Sequence, residues 1–156
     1  MKAFWVFVGG MVAVSFLVWC LLTYGLISDE ERIQRLIEQG SRGVESGSLF
    51  VLSNLLAADY QHEGGLGKAE VLGALRSLFE NTRNRRVHVL RCLVKVEKNR
   101  ADSEVTFWFS AQSQLSPAIP QEWLDLTGRE KQTVHLNLVK EGRSWKITRS
   151  ALRRAR

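Results

Sequence analysis

The chain has 156 residues, 22 of them basic and 16 acidic, for a formal charge of +6, and 45% of its residues are hydrophobic. That length holds one domain of ordinary size, with no internal repeat or low-complexity tract. Its two cysteines exclude a metal site built on cysteine, and Cys20 and Cys92 fall in segments too different to pair with each other.

From Ala3 to Ile27 there is no charged residue, and the run FWVFVGGMVAVSFLVWCLLTYGLI is nearly all apolar. About 20 such residues span a bilayer core as a helix. The run exceeds the roughly 7–15 apolar residues of a cleavable signal, and no small-residue cleavage site follows it. Residues 1–28 therefore read as an uncleaved, single-pass transmembrane anchor. Lys2 and the amino terminus precede the run and Asp29–Glu30–Glu31 follow it. This asymmetry predicts a cytoplasmic N-terminus and an extracytoplasmic domain at a bacterial-type inner membrane.

Ser28-x-x-Glu31 is a capping-box pattern. Behind it Ile33, Leu36, Ile37, Gly40 and Val44 fall on one helical face, and Gly47 fits a helix stop. Ser48 caps a short second helix rich in leucine. Residues 59–63 read as a short extended piece, and a third helix runs from Lys68 to Glu80 with Val71, Leu72, Leu75, Leu78 and Phe79 as its stripe. After Arg86 the period becomes two. His88, Leu90, Cys92, Val94 and Val96 make the apolar face of one strand, and Val105, Phe107, Phe109 and Ala111 that of the next. Residues 115–128, with Pro117, Pro120 and Gly128, interrupt. Val134, Leu136 and Leu138 mark a third strand, Glu141–Gly142 a hairpin turn, and Trp145 and Ile147 the inner face of the last. Helices first and strands afterwards predict an α+β domain with three helices packed on a curved, mostly antiparallel sheet.

That order resembles the nuclear transport factor 2-like superfamily, a cone-shaped, cystatin-like α+β fold, over residues 29–152, leaving 153–156 as a basic tail. The resemblance rests on "VESGSLFVLSNLLAADY", "LGKAEVLGAL", "RVHVLRCLVKVE" and "VHLNLVKEGRSWKITRSAL". It implies a pocket whose mouth is lined by the segment after the second helix. It also implies either an isomerase- or dehydratase-like activity or a binding and assembly role, between which a fold does not choose.

Alternation sends Tyr60 and His62 one way and Asp59, Gln61 and Glu63 the other, so these five cannot converge on one metal ion. Gly64, Gly65 and Gly67 lack the Gly-Lys-Ser/Thr of a phosphate loop. The expected pocket lining is Tyr60, His62, His88, Phe107, Phe109 and Trp145. An enzyme would use His62 with Tyr60 and His88, since imidazole titrates near neutral pH. No acidic residue falls on an inward strand face to serve as base or to orient a histidine, so no catalytic set is assigned. On the outer sheet face, Trp108, His135 and Asn137, together with Trp123 of the loop, are the expected interface. Arg83, Arg85 and Arg86, and Arg153, Arg154 and Arg156, read as lipid- or anion-facing. The resulting expectation is a membrane-anchored, non-catalytic binding or assembly module without cofactor, metal or nucleic acid. Its partners would be other membrane subunits or a second copy through the outer sheet face. The alternative is a tethered small-molecule binder or isomerase/dehydratase-like enzyme.

Overall fold

The computed structural model describes residues 27–113 and 130–154. The expected anchor, apart from its last two residues, therefore lies outside the described residues, as do Trp123 and Arg156. Among the described residues no helix is long and apolar enough to cross a membrane.

Helix α1 (Asp29–Ser46) starts as its capping pattern dictates, with the Ser28 hydroxyl accepting from the Glu31 N–H at 3.2 Å. Three carboxylates in its first turn face the positive end of its dipole. It stops at Gly47, whose φ of +70° only glycine adopts without strain. Helix α2 (Leu49–Leu55) follows, capped by Ser48. It packs so close to α1 that a Cβ on Gly43 would sit 3.1 Å from the Leu52 side chain. Strand β1 (Leu56–His62), helix α3 (Lys68–Asn81) and strands β2 (Thr82–Glu97), β3 (Arg100–Ser113), β4 (Gln132–Glu141) and β5 (Ser144–Arg154) complete the order. The basic tail is thus partly strand.

The sheet order is β1-β5-β4-β3-β2. Strand β1 joins β5 in parallel and the remaining pairs are antiparallel. The helices cover one face. Ile33, Leu36 and Ile37 of α1 meet Leu52 and Leu55 of α2 and the sheet residues Ala101, Val105, Leu138 and Trp145 in one core.

Both ends of α1 are fastened by side chains far away in sequence. At its start the Asp29 carboxylate takes Lys140 Nζ at 2.8 Å and the Trp145 indole N–H at 3.2 Å. These bonds, the lysine's above all, hold the Asp29 carboxyl below its ordinary value. At its end Arg85 turns inward. Its guanidinium donates to the carbonyls of Val44 at 3.0 Å, Phe79 at 3.1 Å and Thr82 at 2.6 Å, and lies over the Phe79 ring. A left-handed Asn84 (φ 51°) in a register shift between Arg83 and Arg86 gives Arg85 that direction. The expectation that Arg85 faces an anion outside is corrected here, since it caps two helices. Arg83, Arg86 and Arg153 are exposed.

A second irregularity changes the reading of β2. The register shifts between Val89 and Arg91. Val87 and Val89 point inward before the bulge, and Cys92 opposite the buried Val105 does so after it. One extra residue inverts the phase of a strand. His88 and Leu90 therefore point out, and Leu90 is 50% exposed.

Arg85→Ala should destabilise the chain by about 2–4 kcal/mol in denaturant titrations, since it removes three charge-assisted bonds at two helix ends. Arg85→Lys should recover only part, because a point charge cannot replace the planar fork. Arg83→Ala, exposed two positions away, should stay within about 0.5 kcal/mol. An Arg85→Ala chain as stable as wild type would remove the capping role.

Asp29 is more acidic in the folded chain than its ordinary value of 3.8. Its contribution is therefore fully present above that value and is lost as pH falls through the lower folded value. Asp29→Asn should lower stability at neutral pH and flatten the acid limb of the stability curve below about pH 4. An acid limb of unchanged slope would show that the clamp adds no stability.

Candidate functional site

Between the helices and the sheet lies a cavity of about 260 Å³. Leu36, Ile37 and Val44 of α1 and Leu75 and Leu78 of α3 form its roof. Val87 and Val89 of β2, Val105, Phe107 and Phe109 of β3, Val134 and Leu136 of β4 and Ile147 of β5 form its floor. Arg85 ties the ends of α1 and α3 on either side of the cavity. The one hydroxyl on its wall, Ser41, donates to the Ile37 carbonyl at 3.1 Å and is already engaged. Among the described residues no titratable side chain lines it. An engineered cavity of about 150 Å³ with such walls stays dry and takes benzene, so this one suits an apolar group.

Of the six residues expected to line the pocket, Phe107 and Phe109 do. Trp145 does not. It is buried beneath the first turn of α1, with its indole N–H on Asp29. His88 does not, because the Leu90 bulge turns it to the outer face. There its ring stacks on Trp108 with centroids 3.7 Å apart and planes 13° from parallel.

Tyr60 and His62 point to the same side, as alternation requires, but they meet a residue that the sequence did not single out. The Tyr60 hydroxyl lies 2.5 Å from Ser150 Oγ, and His62 Nδ1 lies 2.9 Å from the same oxygen. The parallel pairing of β1 with β5 makes this contact by setting His62 opposite Ser150. Both Tyr60 and Ser150 are buried, and burial pushes the tyrosine pKa up despite the bond to Ser150. With a neutral His62 accepting at Nδ1, the proton order runs Tyr60 to Ser150 to His62. Such a chain satisfies three polar groups at the sheet margin. It does not line the cavity. Asp59 and Glu63 are exposed and take no part in it.

The outer face carries the other expected residues. His135 lies 4.0 Å from Glu104, and Asn137 donates to Asp102 at 2.5 Å. Trp108 is half-buried by its stack on His88. Sequence reasoning missed Ser150 and Arg91. Ser150 is a small polar residue 90 positions from Tyr60, and nothing local marks the pairing.

No protein-family model and no curated protein matches the sequence. Solved structures do match. One is a nuclear transport factor 2-like superfamily protein of Salmonella enterica serovar Typhimurium, with a TM-score of 0.66 at 12% identity, covering 81% of this chain and 91% of that one. Another is a cystatin-like fold protein of Caulobacter vibrioides, with a TM-score of 0.64 at 12% identity, covering 81% and 89%. A third is a proposed scytalone dehydratase of Novosphingobium aromaticivorans, with a TM-score of 0.63 at 16% identity, covering 80% and 83%. At these identities the likeness shows the fold alone. The described domain has the nuclear transport factor 2-like, cystatin-like α+β fold, with three helices on a mixed five-stranded sheet among the described residues.

Proposed function

We propose that the domain is a non-catalytic binding module whose cavity receives an apolar group, tethered to a bilayer by residues 3–27. The observation that carries the reading is the cavity wall. General acid–base catalysis needs a titratable side chain within hydrogen-bond reach of the reacting atom. Among the described residues the cavity presents aliphatic and aromatic side chains and one engaged hydroxyl. The tether rests on the length and apolarity of the N-terminal run. The charges flanking that run favour an extracytoplasmic domain. In that setting the module would serve as an accessory subunit beside other membrane proteins, or pair with a second copy through its outer sheet face.

One observation favours a second reading, an isomerase- or dehydratase-like enzyme. The Tyr60–Ser150–His62 chain ends on an imidazole that is partly exposed, and a solved neighbour of the same fold is described as a proposed scytalone dehydratase. A ligand reaching His62 from outside the cavity would find a base there.

The two readings separate in the full chain in lipid nanodiscs with labelled methyl groups. Benzene should shift the methyl resonances of Leu75, Val105 and Ile147 saturably, and Val44→Phe, which fills the cavity, should abolish the shifts while leaving the fold intact. His62→Ala should leave them unchanged. Methyl resonances that ignore benzene would sink the binding reading. A cyclic hydroxyketone dehydrated by the wild-type chain and spared by His62→Ala would establish the enzyme instead. The tether has its own measurement: the chain should stay with membranes through alkaline carbonate washing and be digested by protease added to spheroplasts. Release by carbonate would refute the anchor.

A further inference from the structure

The outer sheet face is electrically divided, and the division follows cross-strand rows. Residues directly opposed in a sheet share a face. Val105 and Phe107 of β3 and Val134 and Leu136 of β4 line the inner cavity, so Thr106, Thr133 and His135 face out. Register then places Arg91, Thr106, Thr133 and Arg153 in one outer row across β2, β3, β4 and β5. The two threonine hydroxyls in its middle are 3.2 Å apart and bonded. With strands about 4.8 Å apart, the row spans ~14 Å between its two arginine Cα positions. The next rows along β2 and β3 are His88 opposite Trp108, then Arg86 opposite Ser110.

None of the residues opposed in these three rows is acidic. Arg86, Arg91 and Arg153 are exposed, and no ion pair joins any of them among the described residues. The carboxylates of this face lie in other rows. Glu97 binds Lys95 at 2.8 Å, Asp102 accepts from Asn137, Glu104 lies 4.0 Å from His135 in the row beside the threonines, and Asp59 shares a groove with Arg149. One half of the face therefore mixes both signs of charge. The other half holds three arginines that are unpaired among the described residues, around an aromatic stack, with the half-exposed Leu90 bulging beside it.

We propose that this half is a docking surface for an acidic polypeptide segment. Arg91 and Arg153 pair with its carboxylates, and the His88–Trp108 stack with Leu90, in the neighbouring row, receives an apolar side chain. The site is separate from the cavity and does not depend on what the cavity holds. The stack selects the partner class. His88 already covers one face of the Trp108 indole at 3.7 Å, whereas binding of single-stranded nucleic acid relies on open aromatic faces for its bases. A ring edge is the positive part of an aromatic quadrupole and suits a carboxylate. An exposed leucine beside arginines suits a peptide that alternates acidic and apolar side chains. A lipid headgroup would use the arginines alone.

The probe is a short fluorescein-labelled peptide alternating Glu and Leu, with a Gln–Leu peptide as its neutral counterpart. It is titrated into the full chain in nanodiscs of zwitterionic lipid, and anisotropy is read. The Glu–Leu peptide should bind saturably, more weakly as salt rises, and the Gln–Leu peptide at least about tenfold more weakly. The double variant Arg91→Gln/Arg153→Gln, changed only at exposed positions, should lose about tenfold in affinity. Trp108→Ala should lose several-fold, and Arg100→Gln, on the half of mixed charge, should change nothing. Unchanged affinity in the arginine double variant overturns the proposal. So does equal or tighter binding of oligothymidine or of phosphatidylglycerol vesicles through the same arginines, because phosphate and not an acidic peptide would then be the preferred partner.

Discussion

The guanidinium of Arg85 is the contact on which the architecture turns. None of the three described helices carries a basic residue in its last turn, so each ends in carbonyls with no cation of its own. Other elements supply the cations. Arg85 serves α1 and α3 together through Val44 and Phe79, and Lys146 and Lys68 reach the carbonyls of Asn54 and Leu56 at the end of α2. Arg85 also explains Gly47 more fully than its dihedral does, since a Cβ there would lie 2.7 Å from the guanidinium. Two local oddities, a left-handed Asn84 and a glycine stop, exist around one side chain that is inserted between two helices.

Fastening at the ends has a consequence for the middle. Helix α1 is held at Asp29 by the β4–β5 hairpin and at Val44 by Arg85. Its central turns bridge the sheet, and the cavity lies beneath Leu36, Ile37 and Val44. Side-chain volume alone would favour collapse of an apolar void, because empty walls lose contacts on one side. The polar bonds at both ends oppose that collapse. They are charge-assisted and cannot be shortened further without breaking. The cavity is thus kept open by interactions located elsewhere.

Much of this fold was legible in the sequence because its signals are local. Ser28 and Gly47 bracket α1 through bonds within one turn, and the change of period after Arg86 is a change of backbone geometry. The errors sit where a single residue alters phase or where a partner comes from across the sheet. Leu90 looks like one more apolar residue in an alternating strand. Only its pairing with β3 reveals that it is extra, and that turned His88 out of the expected pocket. Arg85 sits between two exposed arginines, and composition gives no reason to separate them. Trp145 was rightly placed inside but assigned to a cavity wall, because the sequence does not reveal the carboxylate that holds its N–H. The four-residue cluster Asp59, Tyr60, His62 and Glu63 split as alternation required. Its meaning came from Ser150 on a strand that pairs in parallel, the least local connection in the chain.

That last contact bears on chemistry. With a neutral His62 accepting at Nδ1, Ser150 donates to the imidazole and accepts from Tyr60, so its proton and one lone pair are engaged inside a buried site. The fold thus places this polar chain where its three groups satisfy one another. Among the described residues the wall that could hold a ligand carries one hydroxyl, that of Ser41, and it is engaged by the Ile37 carbonyl. Recognition there is by shape and apolar contact. The unmatched charge lies on the opposite face of the sheet, around Arg91 and Arg153. Alternation along β5 puts Arg153 on the side away from the cavity, and the extra residue Leu90 puts Arg91 there. The two surfaces can therefore bind different partners without competing for a side chain.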